Sequence, residues 1–519
     1  MNKSDSRPPL SWRDAAIAFS LANLSFLNLW SQLLTYTRPD RYTMKYAPAP
    51  ALYGGLILDV VLYGAVLWAG IAACRRLKGH AATLARLGFL LLLVLPLNAL
   101  RAAMSQHVPF LKSDLILKIG VKGVIILAAV LGLTAALAAL RFPRQLARAA
   151  ASVLLLFSPF VAVTFLQGAW KMARYDPRPF ADGPPASPPL QVAKTSPRFL
   201  WVIFDEWDQR LTFPERLPRL KLPAIDRIRR ESLYASNAIP AGPETTISMP
   251  AMTTGRLVET FRHGDANELF LRMADNKQVV SWGKLPNVFA DARAAGFRTA
   301  VAGWYQPYCR VINHSLDACW WWELAAQHTA LGRGLAETAP NEARSLFETS
   351  LLSPFGQSLS TAYHAKTYHE MLARAKQLAG DRNFGLVLLH FPVPHAPHAY
   401  DRKTGAFTLA NAAIKGYYDS LALTDRSIAA LRRAMERAGT WDTTTVLFSS
   451  DHSYRSAGAL DGKTDRRVPF LLKLAGQREG VTFDAGFNTV VTHDLILAVL
   501  RREISTPGQA VEWLGRRKM

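Results

Sequence analysis

Three cysteines in 519 residues cannot build a disulfide-rich scaffold. Cys74 ends an apolar run, and Cys309 and Cys319 lie ten residues apart in "YCRVINHSLDAC". No further cysteine completes a zinc-finger set, and no P-loop or nucleic-acid motif is present. Carboxylates are also scarce: 39 Asp and Glu face 61 Lys and Arg, a net charge of +22. Such a chain suits an anionic partner. With 50% hydrophobic residues, an acidic membrane surface fits better than nucleic acid, and no nucleic-acid partner is expected. In a reducing compartment Cys309 and Cys319 would be free thiols, and in an oxidising one they would close a short loop. Composition does not choose between these.

Charge is nearly absent from five stretches before residue 171. The first, 15–36, is uncharged but carries Asn23, Asn28 and Gln32. The second, 51–74, holds only Asp59, and the third, "LGFLLLLVLPLNAL", lies between Arg86 and Arg101. The fourth and fifth, 123–140 and 149–170, are uncharged. A spanning helix takes about 20 apolar residues, which four stretches supply alone and the third supplies with its snorkelling flanks. Residues 1–170 therefore read as a membrane domain with five transmembrane helices. "APAPA" after the first stretch would suit a signal peptidase, but the run exceeds an ordinary signal core and four more follow, so it is expected to be retained.

Lys and Arg in the short loops set the orientation. With the N-terminus inside, ten basic residues (3, 7, 13, 75, 76, 78, 86, 141, 144 and 148) face the cytoplasm against seven outside (38, 41, 45, 101, 112, 118 and 122). Five spans then put the rest of the chain outside, where Cys309 and Cys319 read as a disulfide. Asp59, a charge inside a span, either serves a function or bonds to a neighbour within the helix bundle.

Residues 171–198 contain seven prolines and read as an extended linker. From 199 to 519 the pattern changes to apolar strand-like runs, "FLWVIF", "FRTAVAGW", "GLVLLHF", "TTVLFSS" and "VPFLLKL", separated by amphipathic helical segments. That alternation predicts an α/β domain with a mainly parallel sheet, whose ligands bind beyond the carboxyl ends of the strands. Three of those ends carry chemistry. "FLWVIFDEWD" holds Asp205 and Glu206, "GLVLLHFPVPHAPHAYD" holds His390, His395 and His398, and "TTVLFSSDHSYR" holds Asp451 and His452. Carboxylate oxygen and imidazole nitrogen are the donors expected for zinc or manganese.

A fourth segment, "PETTISMPAMTTG", crowds hydroxyls into residues 243–255. By itself it could be a capped helix start. Together with the strand ends it resembles the alkaline phosphatase/sulfatase superfamily over about residues 199–503. In sulfatases the nucleophile stands ten residues before the glycine of a Thr-Gly pair, and that position here is Thr245. Ser248 and Pro250 are similar to the Ser-x-Pro of membrane phosphoethanolamine transferases, and spans followed by such a domain resemble those enzymes and lipoteichoic acid synthases.

The resemblance implies Thr245 as nucleophile and metal ligand, with Asp205, Asp451 and His452 completing the metal set. Glu206 is an alternative ligand or substrate contact. His395 in "PHAP" would bind phosphate or protonate the leaving group, and His398 is a second substrate or metal candidate. One divalent metal is implied, zinc before manganese, and a second metal is left open. Threonine cannot become formylglycine, so an ordinary sulfatase is not implied. Ser453 also stands where phosphoethanolamine transferases carry Gly, and no later His follows nearby.

The implied activity is transfer of a phosphoethanolamine- or phosphoglycerol-type headgroup from a membrane phospholipid donor to an envelope glycan or lipid acceptor. It would proceed through a phospho-threonine, at the outer face of a bacterial inner membrane. A phosphoester or sulfoester hydrolase and an inactive binding protein are the alternatives.

Overall fold

The computed structural model describes residues 11–107, 114–188, 190, 196–324, 331–348, 359–412 and 414–517. The chain forms two compact units that interleave in sequence. Residues 1–36, 48–176 and 327–359 make one, and 37–47, 177–326 and 360–519 the other.

In the first unit, helices Pro50–Cys74, Gly79–Met104 and Pro143–Ala173 are long and apolar enough to cross a membrane. Helices Trp12–Ser25 and Leu27–Leu34, which carry the first predicted span, are bent by 62° against each other. Counting that pair as one span gives four among the described residues, against the five expected. The fourth predicted stretch, 123–140, lies in helix Asp114–Arg141, of which Ala129–Arg141 counts only as a shorter apolar helix. Near the bend, Asn23 Oδ1 accepts from Trp30 Nε1 at 2.9 Å and Thr164 Oγ1 at 3.0 Å, so its amide oxygen is satisfied inside an apolar bundle while its Nδ2 has no partner among the described residues. Asp59 is buried, and its Oδ2 has no hydrogen-bond partner.

The second unit is built on a nine-stranded sheet. Its strands are β1 (Arg198–Phe204), β2 (Leu233–Ile239), β3 (Thr299–Trp304), β4 (Ala318–Trp322), β5 (Leu386–Phe391), β6 (Thr444–Ser449), β7 (Val468–Lys473), β8 (Val481–Phe483) and β9 (Phe487–Asn488). The spatial order is β8-β2-β7-β6-β1-β5-β3-β4, with β9 also on β2. All pairings are parallel except β6–β7 and β7–β2.

Strand β1 shows why its run is apolar without alternation. Phe199, Trp201 and Ile203 enter one core, while Leu200, Val202 and Phe204 enter the other. Both faces are covered, so neither can be polar. Helices Leu359–Gly380 and Tyr417–Arg437 contribute to the second of these cores.

The proline-rich segment is tied down where it is described. Gly183 N–H donates to Cys309 O at 2.8 Å, and Ala186 N–H to Leu316 O at 3.0 Å. Beside it, Cys309 and Cys319 form a disulfide. A cross-link over so short a loop stabilises by about 2–3 kcal/mol in the chain-entropy account. Replacing both cysteines by serine should lower the unfolding free energy of this unit by that amount, read from the shift of its denaturant midpoint. An unchanged midpoint would show that the bond contributes nothing.

Candidate active site

Strand register brings the two central carboxylates together. β1 and β6 are parallel neighbours with Ile203 opposite Ser449, so Asp205 and Asp451 each emerge two residues later at the same edge. Ser450 fastens the two ends: its hydroxyl donates to Phe204 O at 2.7 Å and accepts from Trp207 N–H at 2.9 Å. On the other side, Asp205 N–H donates to Phe391 O at 3.1 Å, tying in the end of β5.

Thr245 arrives from β2 as the first residue of helix Thr245–Thr254. That helix ends on Gly255, whose φ is +69°, and a Cβ there would lie 3.0 Å from the His493 ring. The backbone conformation and the close ring both favour glycine at this stop. His493 is itself held between Asp291 and Asp494, at 3.1 and 2.8 Å.

At the centre, Thr245 Oγ1 donates to Asp451 Oδ2 at 2.6 Å. It lies 3.3 Å from both Asp205 Oδ2 and His452 Nε2. Asp205, Asp451 and His452 each offer a ligand atom, all within 4.8 Å of one another, and all three are buried. His452 Nδ1 meets Ser453 O at 3.0 Å, which makes Nδ1 the protonated nitrogen and leaves the Nε2 lone pair for the site. Asp205 Oδ1 is buried with no hydrogen-bond partner.

Burial, with the Asp451 and Glu206 carboxylates alongside, pushes the Asp205 carboxyl well above its usual range. Burial is the largest influence on Asp451 and acts the same way, but the His452 and His390 rings, the Thr245 hydroxyl and the His452 backbone N–H together hold that carboxyl below its usual range. Facing carboxylates, an unpartnered oxygen, an imidazole nitrogen and a hydroxyl suit a divalent cation well.

The other predicted residues take different places. Glu206 turns away from the three-residue group and pairs with Arg455 Nε at 2.8 Å. His395 reaches Arg455 instead of Thr245: Arg455 Nη2 lies 3.3 Å from its Nε2, and its Nδ1 is 2.6 Å from Ala396 O. His398 is buried, bonds Ser420 Oγ at 3.1 Å, and packs edge-on against Tyr417 and Tyr454. Burial takes its pKa down to about 4. His390, expected to pack at the strand end, does so with Nε2 3.8 Å from Asp205 Oδ2, and Tyr308 OH meets its Nδ1 at 2.9 Å. Thr246 accepts from Gln306 Nε2 at 3.2 Å and makes no hydrogen bond to Asp205, Asp451 or His452.

Arg455 and Tyr308 carry no strand-end signal of their own, and sequence reasoning missed both. Arg455 stands four residues after Asp451, where a basic residue among several reads as surface.

The family model described as Sulfatase matches residues 197–493. The chain belongs to the sulfatase family. Among curated proteins, it is 26% identical over 337 residues to the ulvan-active sulfatase of Formosa agariphila, covering 58% of this chain and 60% of that one. The chain therefore spans less than two thirds of that relative. Among solved structures, this sulfatase-family chain is similar to the lipoteichoic acid synthase LtaP of Listeria monocytogenes, at 12% identity and a TM-score of 0.39. That match covers 59% of this chain and 72% of LtaP. The phosphonate monoester hydrolase of Agrobacterium radiobacter matches at 14% identity and a TM-score of 0.37, covering 59% and 77%.

Proposed function

We propose that the protein transfers a phosphoryl headgroup, of phosphoethanolamine or phosphoglycerol type, from a membrane phospholipid to an envelope glycan or lipid. The observation that carries this reading is the hydroxyl of Thr245, buried at the meeting point of Asp205, Asp451 and His452 and aimed at Asp451 Oδ2 from 2.6 Å. Asp205, Asp451, His452 and Thr245 would hold one divalent metal, with zinc the first choice and manganese the second. When bound, that ion supplies positive charge that lowers the proton affinity of the threonine oxygen.

The chain's own residues do the rest. Asp451 accepts the hydroxyl hydrogen and fixes the direction of attack. The Oγ–phosphorus bond forms as the bond from phosphorus to the diacylglycerol oxygen breaks, and that oxygen takes up a proton. An acceptor hydroxyl then displaces Thr245 from phosphorus, and its proton passes to the departing threonine oxygen, restoring the hydroxyl. His395, with its Nδ1 on a carbonyl and its Nε2 toward Arg455, reads better as a group that orients than as the proton donor. The apolar helices of the first unit support access to a lipid donor. A bacterial inner membrane, with the site on its outer face, is the setting that the loop charges favour.

A hydrolase is the second reading, favoured by the family match and by the sulfatase relative. One experiment separates the two. Full-length protein in vesicles receives a phospholipid labelled in its headgroup, with and without an envelope glycan fraction. Diacylglycerol should appear in step with label on the glycan. Label released only as free headgroup phosphate, with or without the glycan, would establish the hydrolase. Turnover of sulfate esters alone would exclude both phosphoester readings.

A further inference from the structure

Arg455 is placed unlike a surface arginine. Its Nε donates to Glu206 Oε1 at 2.8 Å, and its Nη2 lies 3.3 Å from His395 Nε2. His395 can accept there because its Nδ1 hydrogen is on Ala396 O at 2.6 Å. These two bonds occupy one edge of the planar guanidinium and set its plane. Of the five N–H groups a guanidinium carries, the end-on pair from Nη1 and Nη2 has no partner among the described residues. The Arg455 side chain is 53% exposed, while its anchor Glu206 is 5% exposed. Glu206 has a φ of +63°, a backbone cost that an ordinary surface ion pair does not require. The Arg455 charge also acts on Asp205 and Asp451.

We propose that Arg455 is the anion receptor of this site, its free end-on fork gripping two non-bridging oxygens of the phosphoryl group, with Glu206 as the positioning residue that aims it. This rests on the reading of the site as one for phosphoesters. Two parallel N–H donors match two oxygens of a tetrahedral anion, a geometry that lysine cannot reproduce. A fork already fixed along its other edge loses little freedom when the anion arrives. Glu206 partly neutralises the guanidinium, so an anion that offers only one oxygen is held poorly and one that offers two is held well.

The test uses full-length protein in detergent and two probes, inorganic phosphate for binding and bis(4-nitrophenyl) phosphate for turnover. Arg455→Ala should weaken phosphate binding about 10- to 100-fold, the span expected for charge-assisted hydrogen bonds. Arg455→Lys should recover only a minor part of that loss, and millimolar guanidinium should restore phosphate binding to Arg455→Ala. Glu206→Gln should raise KM for the diester far more than it lowers kcat. Phosphate binding by Arg455→Ala equal to wild type would overturn the proposal, and so would full recovery by lysine. If Arg455→Ala fails to fold, the lysine variant decides. Phosphate binding that depends on Arg455, in a protein that turns over no phosphoester, would sustain the receptor while removing the transferase reading.

Discussion

Thr245→Ala is expected to abolish headgroup transfer, by about 10⁴-fold or more, while leaving the fold intact. No other hydroxyl among the described residues bonds Asp451 Oδ2, so none can take over the attack. The stability cost is small because the substitution removes one oxygen and no packing carbon beyond a methyl. It also relieves Asp451 of a single hydrogen bond, worth on the order of 1 kcal/mol. Thr246→Ala is the control. Its hydroxyl accepts from Gln306 Nε2 at 3.2 Å and takes no part in the group around Asp451. That variant should lose about 1 kcal/mol of stability and keep most activity. Headgroup label should be recovered on Thr245 in the wild type, and chelation should remove it. Activity retained by Thr245→Ala would end the phospho-threonine mechanism. Label on Thr246 would move the nucleophile by one residue.

The sequence makes some of this architecture readable because apolar patterning is local. The runs at 199–204, 385–391 and 444–449 are apolar on both faces, which only a sheet covered on both sides requires, and each is a central strand. A residue just past such a strand must lie at the sheet's carboxyl edge, which is why Asp205, Asp451 and His452 could be nominated together. β2, "LYASNAI", escaped notice because it carries Ser236 and Asn237 and is bordered on one side by an antiparallel neighbour. Glu206 and Asp205 are adjacent and chemically alike, so patterning cannot say which joins Asp451 and His452. The left-handed turn at Glu206 decides it by sending that carboxylate to Arg455. The interleaving of the units, with 37–47 in one and 327–359 in the other, depends on tertiary pairing between distant segments and leaves no periodic trace.

That interleaving makes Tyr42→Ala the substitution with the largest expected effect on stability. Tyr42 lies between the first two apolar stretches in sequence, yet it is fully buried in a core of the sheet unit, of which 37–47 is part. Its hydroxyl donates to Gln306 Oε1 at 2.9 Å, and Gln306 Nε2 donates onward to Thr246 Oγ1 at 3.2 Å. The same short segment accepts from Arg310, whose Nη2 donates to Tyr42 O at 2.6 Å and to Met44 O at 2.8 Å. Removing the ring opens a cavity and leaves Gln306 Oε1 without its donor. Large-to-small changes of this kind cost about 3–5 kcal/mol. Tyr42→Phe keeps the ring and should cost about 1 kcal/mol, the value of the hydrogen bond alone. Because Tyr42 and Gln306 share one network, Tyr42→Phe and Gln306→Ala combined should destabilise less than the sum of the two single changes. Denaturant unfolding of the full-length chain measures all three. Equal midpoints for Tyr42→Ala and wild type would mean that the segment carries no part of the core. Strict additivity would mean that the hydrogen-bonded path from Tyr42 through Gln306 to Thr246 carries no energy.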